Sequence, residues 1–535
     1  MRLAPSFVRT DLPARAVYSE AAGISRVIPR AVCVPGSLHD IVDAVNWARS
    51  ESLPIIPRGS GSGMAGGAVG DGLIVDVSRL REVDVDVHGA SATAGPGVTR
   101  AALDAAARRA GLWFPVDPSS GAFCTVGGMA AANAAGPRSL KHGAMRAWVE
   151  GCGCVFADGT SALVRRGAPV DTDVPALARF AARIAELRER AEQLSLPATR
   201  KDSCGYGWRQ FAQSGELVDL LVGSEGTLAI FALLLVRLIT PPNATATILA
   251  AFPSLEAAMA GAALAREADA AACELLDRTF LQVAATDRPL PIDATSEAVL
   301  LVELDAADDA GAASAAESLG TALRSAAAGT VLLGIDSESA DALWSLRHAV
   351  SPILSRLPAH TQSMQFIEDC AVPPDALPEF VRGLRATLDR HGRRGVIFGH
   401  AGDAHVHVNP LIDITRPDWR DTVAHILDDV VELTARLGGT LTGEHGDGRL
   451  RTPLLHRVRD PAELALAREL KEIFDPDVVL NPGVKVPLPG QTPLGDIKYD
   501  RDIAPLPEKA RRVLDRVAAE RAYDHNRLQL LEEER

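Results

Sequence analysis

Pro54-Ile55-Ile56-Pro57-Arg58-Gly59-Ser60-Gly61-Ser62-Gly63-Met64-Ala65-Gly66-Gly67 reads as a short apolar strand that runs straight into a glycine-rich loop. Bare glycines let the backbone take positive φ and approach a ligand closely, so successive N–H groups can face a phosphate. The loop is no Walker motif, because no Gly-Lys-Ser/Thr follows, and it does not open a helix as G-x-G-x-x-G. Alone it is equally compatible with a flexible surface loop, so its surroundings decide. Upstream, Ala31 to Pro35 reads as a strand and Leu38 to Ser50 as a helix with apolar Ile41, Val42, Val45 and Trp47; downstream, Leu73 to Val77 is a further strand. This alternation indicates an α/β or α+β domain.

The chain has 535 residues, 47% hydrophobic and 23% charged, enough for two or three cores. A net charge of -14 and a pI near 5.5 argue against a nucleic-acid partner, so an anionic substrate must find a local cationic pocket. The seven cysteines show no C-x-x-C spacing, which points to a reducing cytoplasm. Cys152 and Cys154 alternate on a strand and read as small buried residues. The longest apolar run, Leu228 to Val236, is too short to span a bilayer, so attachment to the inner face of a membrane would be peripheral at most.

More glycine segments follow the first in order: Ala94-Gly95-Pro96-Gly97, then Pro118-Ser119-Ser120 with Thr125-Val126-Gly127-Gly128 running to Asn133 and Gly136, then Gly223-Ser224-Glu225-Gly226-Thr227. From Pro241 to Arg394 the texture changes. Ala-rich helices around 255–267 and 306–327 separate strand-like runs at 297–304 and 330–335, a repeat that suits a ferredoxin-like domain. The expected organisation is an amino-terminal extension over 1–29, a first domain over 30–240, a second over 241–455, a return segment over 456–487 and a charged helical tail over 488–535. The tail reads either as a segment lying on the surface or a partner, or as a plain solvated helix.

Of 13 histidines, His400, His405, His407, His425 and His445 crowd into 46 positions. Val396 to His400 reads as a strand, Ala401 to Ala404 as a turn, and His405 to Asn409 as the returning strand, whose alternation puts His405, His407 and Asn409 on one face. Gly443-Glu444-His445-Gly446 adds a carboxylate and another imidazole in a glycine-lined loop. Strand histidines taken singly read as satisfied core residues. The two clusters together read as a divalent-metal set, and mixed N/O ligands suit zinc or manganese.

The ordered glycine segments resemble the FAD-binding domain of the vanillyl-alcohol-oxidase type flavoproteins. The segments Gly399 to Asp403, His407 to Asn409, Gly443 to Gly446 and Leu480-Asn481-Pro482-Gly483 resemble the carboxyl-terminal half of the FAD-linked D-2-hydroxyacid dehydrogenases. That group includes D-lactate dehydrogenase, D-2-hydroxyglutarate dehydrogenase and the FAD subunit of glycolate oxidase. The resemblance implies an α+β protein with a two-part FAD-binding domain and a ferredoxin-like cap. It implies cofactor contacts at Arg58, Gly59, Ser60, Gly61, Ser62, Gly63, Gly66, Pro118, Ser119, Gly127, Gly128, Asn133, Gly136, Glu225, Gly226, Ile230 and Asn481, and at His142-Gly143, where relatives usually carry Tyr-Gly. Many relatives attach the flavin through a histidine in the first loop; none stands here, which implies non-covalent FAD.

By the same resemblance His400, His407 and Glu444 are metal ligands, His445 is the catalytic base, and Arg347 and Ser351 bind substrate. The implied reaction is oxidation of a 2-hydroxy acid. A divalent cation lowers the hydroxyl pKa, a histidine accepts the proton near neutral pH, and an arginine grips the carboxylate through a two-pronged bond. His405 stands where many relatives have Asn, and reads as an extra ligand, a second base or a neighbour. Ile367 stands where hydroxyglutarate-specific relatives carry Lys, which weakens the case for a dicarboxylate substrate. No cysteine-rich iron–sulfur segment follows, so electrons are expected to leave to a separate quinone, electron-transfer flavoprotein, cytochrome or iron–sulfur subunit. A homodimer is compatible with the sequence. Competing readings are an alcohol or sugar oxidase of the same fold, and a non-catalytic FAD subunit of an electron-transfer complex.

Overall fold

The structure is a computed structural model that describes residues 4–286, 289–293, 295–354, 357–358 and 360–534. Three sheets organise it. The first runs in the order Val8–Arg9, Ala31–Cys33, Leu73–Asp76, Ile55–Arg58, with the last three strands parallel. Its central strand is buried along its whole length, as a parallel strand covered on both faces should be. The crossover helix Leu38–Ser50 starts where Ser37 accepts the Asp40 N–H, and it lays Ile41, Ala44, Val45 and Ala48 into the core.

An antiparallel sheet follows, in the order Val83–Asp86, Ser91–Ala94, Ile230–Arg237, Val149–Val155, Ser161–Arg165. Cys152 and Cys154 are buried free thiols on its fourth strand. The helix Pro461–Phe474 returns to pack Leu466, Leu470 and Phe474 into this sheet's core.

The third sheet has seven antiparallel strands. Four of them, Ala244–Phe252, Ala272–Asp277, Ala298–Ala306 and Val331–Gly334, run with the helices Leu255–Glu267 and Asp309–Ser325 in the ferredoxin-like order 4-1-3-2. The period of two is visible along the first strand. Ala246, Ile248, Ala250 and Phe252 enter one core, while Leu249 and Ala251 enter the core on the other face. The remaining strands, Gly395–His400, His405–Asp413 and Thr361–Ser363, extend the sheet beyond Ala272–Asp277. The histidine hairpin is therefore an extension of the ferredoxin-like sheet, with His400 in register with Glu274.

The tail is a packed element rather than a solvated one. Helix Glu508–Glu520 buries Ala510, Val513, Leu514 and Val517 against Leu12–Ala16, and helix Arg527–Glu533 adds Leu530 and Leu531 to the same cluster. No helix among the described residues is long and apolar enough to cross a membrane.

Candidate functional site

A cavity of about 820 Å³ joins the glycine segments to the histidine cluster, a size in the usual range for a cofactor or small-molecule site. Arg58 to Gly63, Pro118, Ser119, Gly127, Gly128, Glu225, Gly226 and Ile230 line one part of it; Arg347, Phe398, His407, Asn409, Glu444 and His445 line another. A Cβ added at Gly63 would meet nothing within 4 Å, so bare backbone faces open space there. That cradle fits an extended phosphate-bearing cofactor such as FAD.

Other expected cofactor residues sit behind the lining. Asn133 ends the helix Val126–Ala132 with φ 52° and bonds the Ser203 hydroxyl and the Arg146 N–H. Gly136 packs against Asp117, where a Cβ would fall 2.4 Å from the carbonyl oxygen. His142 lies between Trp113 and Trp148, next to Gly143, and burial lowers its pKa. Gly66 faces Ser25. Asn481 donates to the carbonyls of Gly67 and Glu225, so it ties the first loop to the fourth segment. Glu225 lines the cavity and also accepts the N–H groups of Asp447 and Gly448 at 2.6 and 3.0 Å. With Lys485 3.0 Å away, it clamps the loop that carries Glu444 and His445 onto the glycine-rich half.

The hairpin pairs His400 with His405 in register and places His407 two residues on. His400 Nε2 lies 3.2 Å and His407 Nε2 3.5 Å from the same oxygen, Glu444 Oε1. The far nitrogens are fixed from behind: His400 Nδ1 by Glu274 at 2.5 Å, and His407 Nδ1 by the Glu368 carbonyl at 2.7 Å. Two imidazoles and a carboxylate converge with their outer atoms already oriented, a donor set that could hold a divalent cation. Glu444 Oε2 takes Lys201 Nζ at 2.7 Å. Although burial works against its charge, Lys201 and His400 hold this carboxyl well below its ordinary pKa.

His405 is fully buried, bonds Asp369 through Nε2 at 2.9 Å, and does not reach the cavity lining. Among the described residues its Nδ1 has no hydrogen-bond partner, and burial drives its pKa to about 3, so it stays neutral. Its atoms group with those of His400, His407 and Glu444 rather than with a position open to substrate. His445 stacks on His407 with ring centres 5.2 Å apart, and its Nδ1 faces Glu368 at 3.2 Å. Burial opposes its protonation, but Asp369 and Glu368 outweigh that and raise its pKa. Arg451 bridges Glu368 and Asp369 from the side. His425 lies apart, exposed on the helix Trp419–Arg436.

Arg347, 7% exposed, donates Nε to Glu274 at 2.8 Å and covers the Phe398 ring. Ser351 lies in the same helix, and its side chain falls outside the described residues. Ile367 is buried in the core of the ferredoxin-like half and is not part of the cavity wall, while Gln365 lines the cavity. Sequence reading passed over Glu274, Lys201, Glu368 and Asp369. Only the last two carried a signal, as adjacent acids inside an apolar run; the others lie in ordinary strand and loop contexts.

Two family models match the chain: FAD binding domain over residues 29–163, and FAD linked oxidases, C-terminal domain over residues 241–484. The chain is 31% identical to a D-lactate dehydrogenase of Archaeoglobus fulgidus, over 85% of this chain and 92% of that one. It is 30% identical to a D-2-hydroxyglutarate dehydrogenase of Xanthomonas citri pv. viticola, over 85% and 89%, and 29% identical to the glycolate oxidase subunit GlcD of Bacillus subtilis, over 88% and 92%. Among solved structures, p-cresol methylhydroxylase superposes with a TM-score of 0.66 at 11% identity, covering 90% of this chain and 95% of that one. A 4-ethylphenol oxidase from Gulosibacter chungangensis gives 0.65 at 15%, covering 90% and 94%. At those identities the structural likeness speaks for the fold alone.

Proposed function

The chain belongs to the family of FAD-linked oxidoreductases that act on 2-hydroxy acids, and on that premise we propose that it oxidises a D-2-hydroxy acid of lactate, glycolate or hydroxyglutarate type to the 2-oxo acid. In this reading the reaction is assisted by one divalent cation, and the electrons pass to a separate acceptor. The observation that carries it is the single cavity on which the glycine segments, Arg347, His407, Glu444 and His445 converge.

When bound, FAD supplies a two-electron sink and the cation supplies charge that eases ionisation of the substrate hydroxyl. His400, His407 and Glu444 would hold the cation, and Glu274 and the Glu368 carbonyl keep the two imidazoles turned toward it. Arg347, anchored through Nε, would orient the substrate carboxylate with its guanidinium. His445 would take the hydroxyl proton. With Nδ1 turned to Glu368, Nε2 is the nitrogen left to accept a proton, 3.9 Å from Glu444 Oε1. The bare backbone of the first loop and of Gly127-Gly128 would hold the pyrophosphate, and the lack of a histidine in that loop supports non-covalent attachment.

The test is anaerobic mixing of the yellow protein with a panel of 2-hydroxy acids. Bleaching of the flavin by one D-enantiomer is the expected result. Failure of every acid to bleach a flavin that is stably bound would overturn the proposal in favour of a non-catalytic FAD subunit.

A further inference from the structure

The carboxyl-terminal tail reaches the cavity. After helix Glu508–Glu520 the chain turns at Arg521, φ 55°, and the turn is pinned on the glycine-rich half of the protein. Arg527, 2% exposed, donates to the carbonyls of Ala522 and His525 and, at 3.0 Å, to the Ser60 carbonyl within the first glycine loop. Arg81 donates to the Asp524 carbonyl, and Asn526 to the Ser78 hydroxyl. Ala518, Arg521 and Tyr523 thereby become part of the cavity wall, beside Ser60, Ser119 and Phe123.

Two of these tail residues have side chains suited to a nucleotide. Tyr523 lies with its ring 5.3 Å from that of Phe123, and the Arg521 guanidinium sits 5.6 Å from the same Phe123 ring. The preceding arginines are occupied: Arg511 pairs with Glu20, Arg512 with Glu508 and Glu534, and Arg516 with Glu520. Among the described residues Arg521 has no such carboxylate partner. A cation without a counter-ion at the mouth of a glycine-lined cavity is placed for an anion.

We propose that Arg521 and Tyr523 complete the FAD site by holding its AMP half, Arg521 at the phosphate of that half and Tyr523 with Phe123 against the adenine. The inference rests on the proposed chemistry, which requires the isoalloxazine ring beside Arg347 and His445. The contacts that pin the tail are to the first loop and its neighbours, so the opposite end of an elongated dinucleotide faces it. Flat aromatic faces stack on bases whatever their sequence, and guanidinium binds phosphate in a fork.

The test is titration of apoprotein with FAD, ADP and FMN, followed by flavin fluorescence or calorimetry, for wild type, Arg521→Gln and Tyr523→Leu. Far-UV dichroism and the melting temperature verify that each variant is folded. Arg521→Gln should weaken FAD and ADP about tenfold, as loss of a bond to a charged group does, and leave FMN unchanged. Tyr523→Leu should weaken the same two ligands. Unchanged FAD and ADP affinity in both variants, or equal loss of all three ligands, would overturn the proposal. Wild-type protein that takes up no flavin would overturn the cofactor reading beneath it as well.

Discussion

Glu274 and His400 face each other in register on adjacent antiparallel strands and are joined by a 2.5 Å hydrogen bond. The other oxygen of the same carboxylate takes Arg347 Nε at 2.8 Å. Burial would push this carboxyl's pKa up, but His400 and Arg347 outweigh it and hold the value at about 2. One buried anion therefore orients both a proposed metal ligand and the proposed substrate arginine.

Replacing Glu274 by Gln keeps the shape and removes the charge. Metal affinity should fall about 10–100-fold, the usual effect of losing a carboxylate behind a histidine ligand, and KM should rise because Arg347 loses its anchor. Competition with a chromophoric chelator measures the first effect. An unchanged metal affinity would show that Glu274 does not orient His400 for a cation.

Exhaustive chelation should abolish turnover while the flavin spectrum stays intact, since the proposed ligands and the glycine cradle are separate parts of one cavity. Elemental analysis of active protein should find one equivalent of a divalent ion. Active protein without stoichiometric metal would remove the cation from the mechanism.

Arg347→Lys and His445→Ala should leave different kinetic signatures. The first keeps a charge but loses the planar fork, so kcat/KM should drop by roughly 1.5–3 kcal/mol, mostly through KM. The second removes general-base help typically worth about 10²–10⁴ in rate, so kcat should collapse while FAD stays bound. Flavin reduction at the wild-type rate in His445→Ala would reassign the base. Buried His405, neutral and away from the cavity wall, would then be tested by His405→Asn.

Acid precipitation should release the yellow chromophore into the supernatant. A fluorescent band that survives denaturing electrophoresis would mean that a residue outside the first loop anchors the flavin covalently.

Glu463 offers a stability test away from the site. Burial raises its pKa to about 7, with Arg459 pulling it down and Asp202 and Asp447 pushing it up. An acid whose pKa is higher folded than unfolded binds more protons when folded, so its contribution to stability is greatest at low pH and declines from about 4.5 to 7. Glu463→Gln should therefore gain stability relative to wild type as pH rises through that window, on the order of 1–3 kcal/mol at pH 8, seen as a Tm difference that widens with pH. A difference in Tm that is flat with pH would contradict the linkage.

The fold class, the glycine segments and the histidine hairpin are legible in the order of residues alone. These are written locally, in period-two alternation, glycine spacing and turn residues that act within about ten positions of one another. His400 and His407 needed only the geometry of a hairpin to be brought together. The layer around them comes from long-range packing. Glu274 stands 126 residues from His400 and Lys201 stands 243 from Glu444, and neither has a local signature, because a strand carboxylate acquires meaning only from the strand paired beside it. The tail was ambiguous for the same reason. An amphipathic helix with a charged face reads identically on solvent or on a partner, and only its burial against Leu12–Ala16 and its bond to the Ser60 carbonyl place it at the cavity.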